Sequence, residues 1–456
     1  MDKAAIIESL ESKFHLNRED SNVLVVGLGK TGLSAAQYLH QYGFQFAVVD
    51  SRSNPPLKSA LLSQIPEASV IEGGFHSKDF IDATHLVVSP GVSLNEKVIE
   101  DARLRGAKIL GDIDLFSCSV REPIVAITGS NGKSTVTTLL GEMAEANGKN
   151  AGVCGNLGTP ALDLLKQDAE LYILELSSLQ LERTTALDAT AATVLNVSLD
   201  HIDRHGSLGR YAAEKSRIFN GNGVMILNAD DPVVSAMAIA GRKAWTFGLE
   251  SKADFQVKVI GNAEWMVEED VGLMPVKELA MEGRHNIGNA LAALALGKSI
   301  GLSYESMFQA LKAFNGLEHR MQKIAEIDGV VWINDSKATN IGACLAALQG
   351  IENKVILIAG GDAKGADMHD LAPVVKIKAR AVVLMGKDAD RIDRALKDCV
   401  PVYKVKTLPE AVLTAAGLAS PGDCVLLSPA CASIDQFKNY QERGHAFATA
   451  VRGLAA

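Results

Sequence analysis

Twice in its first 135 residues the chain runs a short apolar, β-branched stretch into a glycine-rich turn and out into a helical pattern. The first unit is Asn22-Val23-Leu24-Val25-Val26, then Gly27-Leu28-Gly29-Lys30-Thr31-Gly32, then a helical segment over 31–42. The second is Pro123-Ile124-Val125-Ala126-Ile127, then Thr128-Gly129-Ser130-Asn131-Gly132-Lys133-Ser134-Thr135, then a helix reaching residue 147. A strand entering a helix through glycines opens a parallel βαβ unit, because parallel strands can be joined only by a crossover. Two openings about a hundred residues apart call for two sheets.

Strand-like runs at 44–50, 68–72, 85–89 and 108–110 extend the first sheet, and those at 171–176, 193–197, 224–228 and 244–247 extend the second. Residues 251–282 lose this rhythm and predict a small antiparallel sheet, followed by helices at 289–300 and 303–314. A third series at 330–333, 355–359, 381–385, 402–405 and 424–427 starts beyond Phe314-Asn315-Gly316-Leu317, where asparagine and glycine interrupt the helical pattern. The 456 residues suit about three domains at roughly 150 residues each.

With 45 basic and 54 acidic residues the net charge is −9, which argues against a nucleic-acid partner. No uninterrupted apolar run is long enough to span a membrane, and the N-terminal residues lack the layout of a signal peptide. The six cysteines form no CxxC pair and no metal-ligand spacing. A cytoplasmic protein with reduced thiols is expected. No helix shows a long apolar seam, so a monomer is expected.

The first turn matches GxGxxG between a strand and a helix, and Asp50 ends the second strand 18 residues after Gly32. Glycines let a diphosphate approach the positive end of a helix, and the acid can take ribose hydroxyls. Any nucleoside diphosphate fits this logic, a nicotinamide dinucleotide included. The second turn is a phosphate loop of shortened form, since the usual spacing would put glycine where this chain has Ile127. Its Lys133 adds a cation and its Ser134 can ligate Mg²⁺. The predicted fold class is therefore α/β with three domains. These are a Rossmann-like unit at 1–111, a P-loop ATPase-like unit with a parallel sheet at 112–316, and a Rossmann-like unit at 317–456.

Residues 127–135, Glu175-Leu176-Ser177-Ser178, Asp200-His201, Tyr211-Ala212-Ala213-Glu214-Lys215, His319-Arg320 and Asn334-Asp335-Ser336-Lys337-Ala338-Thr339-Asn340 occur in this order. Together they resemble the Mur ligases of bacterial peptidoglycan synthesis, over essentially the whole chain. The 334–340 run and Leu427-Ser428-Pro429-Ala430-Cys431-Ala432-Ser433 with Asp435-Gln436-Phe437 point to the D-glutamate-adding member, and an Asp-Asn-Pro-Arg signature is absent. The resemblance implies an ATP-driven amide bond between the L-alanyl carboxylate of a UDP-linked muramoyl substrate and D-glutamate, through an acyl phosphate.

The resemblance also distributes roles. ATP falls to Gly129, Ser130, Asn131, Gly132, Lys133, Ser134 and Thr135, with Asn286, Asn289, Arg320 and Asp335. Two Mg²⁺ sites fall to Ser134, Glu175, His201 and Lys215, the last as a carbamate. The UDP substrate falls to Gly29, Lys30, Thr31, Asp50, Ser51, Arg52, Ser89, Gly91, Asn156 and His201. D-glutamate falls to Lys337, Thr339, Ser428 and Phe437, with Lys364 as a further cation. Lys133, Glu175, His201, Lys215 and Lys337 carry the catalytic roles. Arg320 and Asp335 can reach ATP only if the third block closes over the second. Two other readings remain open: another amino-acid ligase of the Mur and folylpolyglutamate group, and a nicotinamide-dependent oxidoreductase built on residues 27–50.

Overall fold

A computed structural model describes residues 2–155, 159–200, 202–281 and 283–454. Among them three sheets follow one another along the chain. The first contains β1 (Val23–Val26), β2 (Phe46–Asp50), β3 (Ser69–Glu72), β4 (His85–Val88) and β5 (Lys108–Leu110), all parallel, in the order β3-β2-β1-β4-β5. The order reverses direction between β2 and β4, so the C-terminal end of β1 is the switch point where α/β sheets hold ligands. The GxGxxG turn sits there.

The second sheet contains β6 (Ile124–Thr128), β7 (Ala151–Gly155), β8 (Leu171–Glu175), β9 (Ala191–Val194), β10 (Val224–Asn228) and β11 (Ala244–Gly248). Beyond β11 come β12 (Phe255–Ile260), β13 (Ala263–Glu268) and β14 (Val271–Pro275), and the order is β14-β13-β12-β11-β10-β9-β6-β8-β7. The antiparallel strands expected at 251–282 are real but do not form a separate sheet. β12 pairs parallel with β11 and carries the β13–β14 meander outward as the edge of the main sheet. β7 escaped the sequence reading because glycines and cysteine dilute its apolar pattern, and β9 begins at Ala191, two residues before the expected run.

The third sheet contains β15 (Gln322–Ile327), β16 (Val330–Asn334), β17 (Val355–Gly360), β18 (Ala379–Met385), β19 (Val402–Lys404) and β20 (Cys424–Leu427), in the order β15-β16-β20-β17-β18-β19. β15 is an antiparallel edge strand of alternating charge that the sequence reading did not assign. The three-domain α/β class stands.

Packing divides the molecule differently from the sheets. Val25, Leu39 and Leu110 of the first unit share one apolar cluster with Phe116, Ile124, Leu174 and Phe219 of the second. Side chains in one close-packed core cannot slide past one another without opening voids, so these two units behave as one body. The third unit buries its own clusters on either side of β17, one around Leu357 and Ile392, the other around Trp332, Ile358 and Phe447. It is reached through Gly316, whose φ of +92° only glycine adopts readily.

One carboxylate ties the joint of the first two units. Asp114 is fully buried in the helix Asp112–Ser117 and accepts N–H bonds from Gly111 (3.0 Å), Thr185 (2.7 Å) and Ala186 (2.7 Å). Asp114→Ala leaves three donors stranded in the interior, and at about 1 kcal/mol for each lost bond the expected destabilisation is about 3 kcal/mol. A urea midpoint equal to that of the parent protein would remove Asp114 from this role.

Candidate active site

The first glycine turn opens a cavity of about 440 Å³. Gly29, Lys30, Thr31, Asp50, Ser51, Arg52, Ser89 and Gly91 all line it, joined by Phe75, Pro160 and Gln180, which sequence reasoning had not singled out. The turn is tight: Gly27 has φ +92°, and a Cβ at Gly32 would overlap the Gly27 carbonyl oxygen. The helix Lys30–Tyr42 therefore starts with its N-terminus facing the cavity.

Asp50 is placed differently from the ribose-binding acid that the fingerprint suggests. Its carboxylate accepts the Leu28 N–H at 2.7 Å, the Arg52 N–H at 2.9 Å, and both Nε (2.8 Å) and Nη2 (2.6 Å) of Arg52. Burial alone would push the carboxyl up, but these donors hold it down at about 2. The acid thus aims Arg52, a half-exposed guanidinium, at the cavity.

The second turn opens a larger cavity of about 610 Å³. Ser130, Asn131, Gly132, Lys133, Ser134, Thr135, Glu175, Lys215, Asn286, Asn289, Arg320, Asp335, Lys337 and Thr339 line it, drawn from the second and third units. Gly129 lies beneath them with φ +156°, in a turn that directs its carbonyl inward. Two lysines converge on that carbonyl: Lys133 Nζ at 2.7 Å and Lys215 Nζ at 2.8 Å. Lys133 also donates to the Ser130 carbonyl at 2.9 Å.

Lys215 is the less usual of the two. It lies in the helix Leu208–Ser216, is 1% exposed, and packs over the Tyr211 ring at 4.5 Å. Burial, with the neighbouring Lys133 charge, drives its amine well below the ordinary lysine range. Burial lowers Lys133 as well, against the opposing pull of Glu175 and Asp200. Glu175 ends β8 as a buried carboxylate at the mouth of the loop.

The third unit meets this loop directly. Arg320 Nη2 donates to Ser134 Oγ at 2.8 Å, and Asn340 Nδ2 reaches Asp200 Oδ2 at 3.1 Å and Asn131 Oδ1 at 3.4 Å. Asn340 Oδ1 at the same time caps the helix Ile341–Gly350. Burial raises Asp335 to about 7 despite the hydrogen bond from Ser428. Burial, followed by Arg320, lowers Lys337 to about 8. Asn286 and Asn289 share one face of the helix Arg284–Ser299, with Asn289 Nδ2 donating to Asn286 Oδ1 at 3.0 Å.

Three expected residues stand outside the cavity lining. Ser428 is fully buried, and its hydroxyl donates to Asp335 Oδ2 at 2.8 Å. Phe437 packs into the apolar layer around Trp332 and Phe447. Lys364 is also absent from the lining and sits in a turn at φ +50°, its N–H bonded to Asp362. The aromatic ring against Lys337 is Tyr440, its centroid 4.0 Å from Nζ, and nothing in sequence spacing favours it over Phe437. Tyr211 and Asn196, which exchanges two hydrogen bonds with Asn131, were likewise missed. Asn156 and His201 lie outside the described residues.

Comparison with known proteins matches each unit. A family model described as the Mur ligase MurD-like N-terminal domain matches residues 21–111, the Mur ligase middle domain matches 127–297, and the Mur ligase glutamate ligase domain matches 319–431. The UDP-N-acetylmuramoylalanine--D-glutamate ligase of Methylococcus capsulatus is 53% identical over 95% of both chains. Its namesake from Pseudomonas aeruginosa is 52% identical over 95% of this chain and 98% of its own. Among solved structures, the fold is shared with the Thermotoga maritima MurF ligase, at TM-score 0.61 and 15% identity over the whole of both chains. It is shared also with UDP-N-acetylmuramate-alanine ligase from the same organism, at TM-score 0.60 and 19% identity over 95% of this chain and 99% of that one. Matched in all three units and along nearly its full length, the chain belongs to the Mur ligase family.

Proposed function

We propose that this protein is an ATP-dependent ligase joining D-glutamate to UDP-N-acetylmuramoyl-L-alanine, in the cytoplasmic synthesis of peptidoglycan precursors. The observation that carries the reading is the contact between the two cavities. Pro90 and Gly91 line both, so a nucleotide-tethered substrate held in the first can present its far end to the phosphate loop of the second. The nicotinamide reading gives the phosphate loop, Lys215 and Arg320 nothing to do.

UDP occupies the first cavity, its diphosphate at the N-terminus of the helix Lys30–Tyr42 beside Lys30, Thr31 and Arg52. ATP lies along residues 129–135, with Asn286 and Asn289 offering amides to the base and Arg320 and Asp335 approaching from the third unit. The alanyl carboxylate attacks the γ-phosphorus, the bond to ADP breaks, and an acyl phosphate forms. The amine of D-glutamate then attacks the acyl carbon, loses a proton, and phosphate departs. Lys133 and Arg320 stabilise charge on the transferring oxygens, and the closed third unit excludes water that would hydrolyse the acyl phosphate.

The donor set suits Mg²⁺, a hard cation that takes oxygen ligands: the Ser134 hydroxyl, the Glu175 carboxylate and Lys215 as its carbamate. His201 joins this set by its place in the sequence. When bound, the metal neutralises phosphate oxygens. The Lys215 environment favours the modification, because a neutral amine adds CO₂ with release of one proton, and burial shifts this amine toward its neutral form. D-glutamate binds through Lys337 and Thr339, with Tyr440 beneath the lysine.

Phosphate release from ATP with UDP-N-acetylmuramoyl-L-alanine should require D-glutamate, and Lys133→Ala should lower turnover by at least about a hundredfold. Stimulation by L-alanine in place of D-glutamate would overturn the substrate assignment. Protein equilibrated with ¹³C-bicarbonate should show one carbamate carbon resonance that Lys215→Ala lacks; an identical spectrum for the two proteins would exclude the carbamate. Lys337 keeps its charge below about 8 and loses it above, so binding of a substrate carboxylate weakens as pH rises through that value. KM for D-glutamate should rise above pH 8 relative to Lys337→Arg, whose guanidinium stays charged. Parallel profiles would take Lys337 out of the amino-acid site.

A further inference from the structure

The passage between the two cavities has two banks. One is the loop of residues 89–92, whose Pro90 and Gly91 line both cavities. The other is the segment around the helix Ser178–Leu181, where Gln180 faces the first cavity and Ser177 and Ser178 face the second. Arg183 follows directly, lines neither cavity, and has a side chain wholly buried between the banks.

Its guanidinium is bound almost entirely to loop carbonyls. Nη1 donates to the Ser89 carbonyl at 2.5 Å and lies 3.4 Å from that of Val88, while Nη2 donates to the Val92 carbonyl at 3.4 Å and to Glu182 Oε2 at 2.9 Å. Arg204 adds a second bond to the Val92 carbonyl at 2.6 Å and sits 3.5 Å from the same Glu182. The chain makes room for this arginine at Gly111, where a Cβ would lie 2.8 Å from its Cγ. On its far side the clamped loop presses on the nucleotide turn. Ser89 Oγ donates to the Gly27 carbonyl at 2.7 Å, and Val92 Cγ2 would stand 2.8 Å from a Cβ at Gly27.

We propose that Arg183 is a positioning residue for the UDP-linked substrate, holding the 89–92 loop at the height that lets the substrate span from nucleotide turn to phosphate loop. A buried guanidinium is costly to desolvate and is retained where several acceptors need it. Here the acceptors are loop carbonyls, of which that of Ser89 also takes the Val92 N–H at 3.0 Å and that of Val92 also takes Arg204. Since the loop bounds the tethered substrate, loss of the clamp falls on that ligand and spares ATP and the amino acid. This inference rests on the ligase reading for the identity of the tethered substrate.

The test uses Arg183→Met, which keeps length and apolar bulk, together with Arg183→Lys and Arg204→Leu. Calorimetric Kd and KM for UDP-N-acetylmuramoyl-L-alanine should rise about tenfold in Arg183→Met and about threefold in Arg204→Leu, with Arg183→Lys between the parent and Arg183→Met. KM for ATP and for D-glutamate should stay within about twofold. The proposal is overturned if Kd for the UDP substrate is unchanged, if all three KM values move together, or if only thermal stability and active fraction fall. Should Arg183→Met not fold, Arg204→Leu decides by the same readings. A parent protein that binds the UDP substrate but shows no D-glutamate-dependent turnover would sink the ligase reading instead, and the calorimetric comparison would still judge Arg183.

Discussion

Two lysines on one carbonyl set the electrostatics of the central cavity. Lys133 and Lys215 both donate to Gly129 O, which places two amines side by side at the wall of the cavity, the second of them buried. Two full charges at that spacing repel strongly where the dielectric is low, so both amines are lowered, Lys215 the further of the two. Burial sets that order: Lys215 is sealed over the Tyr211 ring, while Lys133 opens on the cavity and faces Glu175 and Asp200. The phosphate-loop lysine stays available as a cation at the cavity wall. The buried one becomes a nucleophilic amine, which suits it to carry a carboxyl group. The glycines at 129 and 132 keep the loop this tight, since a Cβ at 129 would press on Leu195 and one at 132 would overlap the Asn289 amide.

Rigidity is arranged around that point. The first and second units share an apolar core, and Asp114, Arg183 and Arg204 stitch their joint with buried hydrogen bonds. A tethered substrate needs a fixed distance between its anchor and its reacting end, and a continuous core supplies one. The third unit has separate cores and touches the phosphate loop through polar contacts such as Arg320 with Ser134 and Asn340 with Asp200. Polar contacts of this kind can break and re-form against water at small net cost, as admission of ATP and the amino acid requires.

Both glycine turns were legible in the sequence because their chemistry is local: a strand end, a run of glycines and a helix start lie within ten residues. The strand-end acid Glu175 and helix residues Asn286 and Asn289 were legible for the same reason. Less was legible where a side chain's contacts depend on a partner that only the fold brings near. Ser428 at the end of β20 reads as a ligand-facing hydroxyl, and only the fold shows its bond to Asp335, 93 residues away. Asp50 reads as a ribose acceptor and does line the first cavity, but its bonds to Arg52 show only in the fold. Phe437 and Tyr440 are aromatics three residues apart, and only the packing of the helix Tyr440–Arg452 against β16 and β15 decides which ring meets Lys337. Arg183 gave no signal at all, since a lone arginine after a short helix resembles a surface cation until the 89–92 loop is folded over it.

The net charge of −9 and the chemistry of the cavity fit together once the cations are located. A protein handling a triphosphate, a diphosphate and two carboxylates could attract them with a basic surface, but such a surface would also collect nucleic acid. Here Lys133, Lys337 and Arg320 line one cavity half-buried, and burial lowers each of them from its ordinary value. A lowered cation is one whose charge is poorly solvated before the ligand arrives. Phosphate oxygens supply the missing stabilisation, so anion binding and protonation of these groups reinforce each other by linkage. Selectivity then resides in the interior, where only a ligand carrying its anions at the spacing of the two cavities can satisfy all of the cations together.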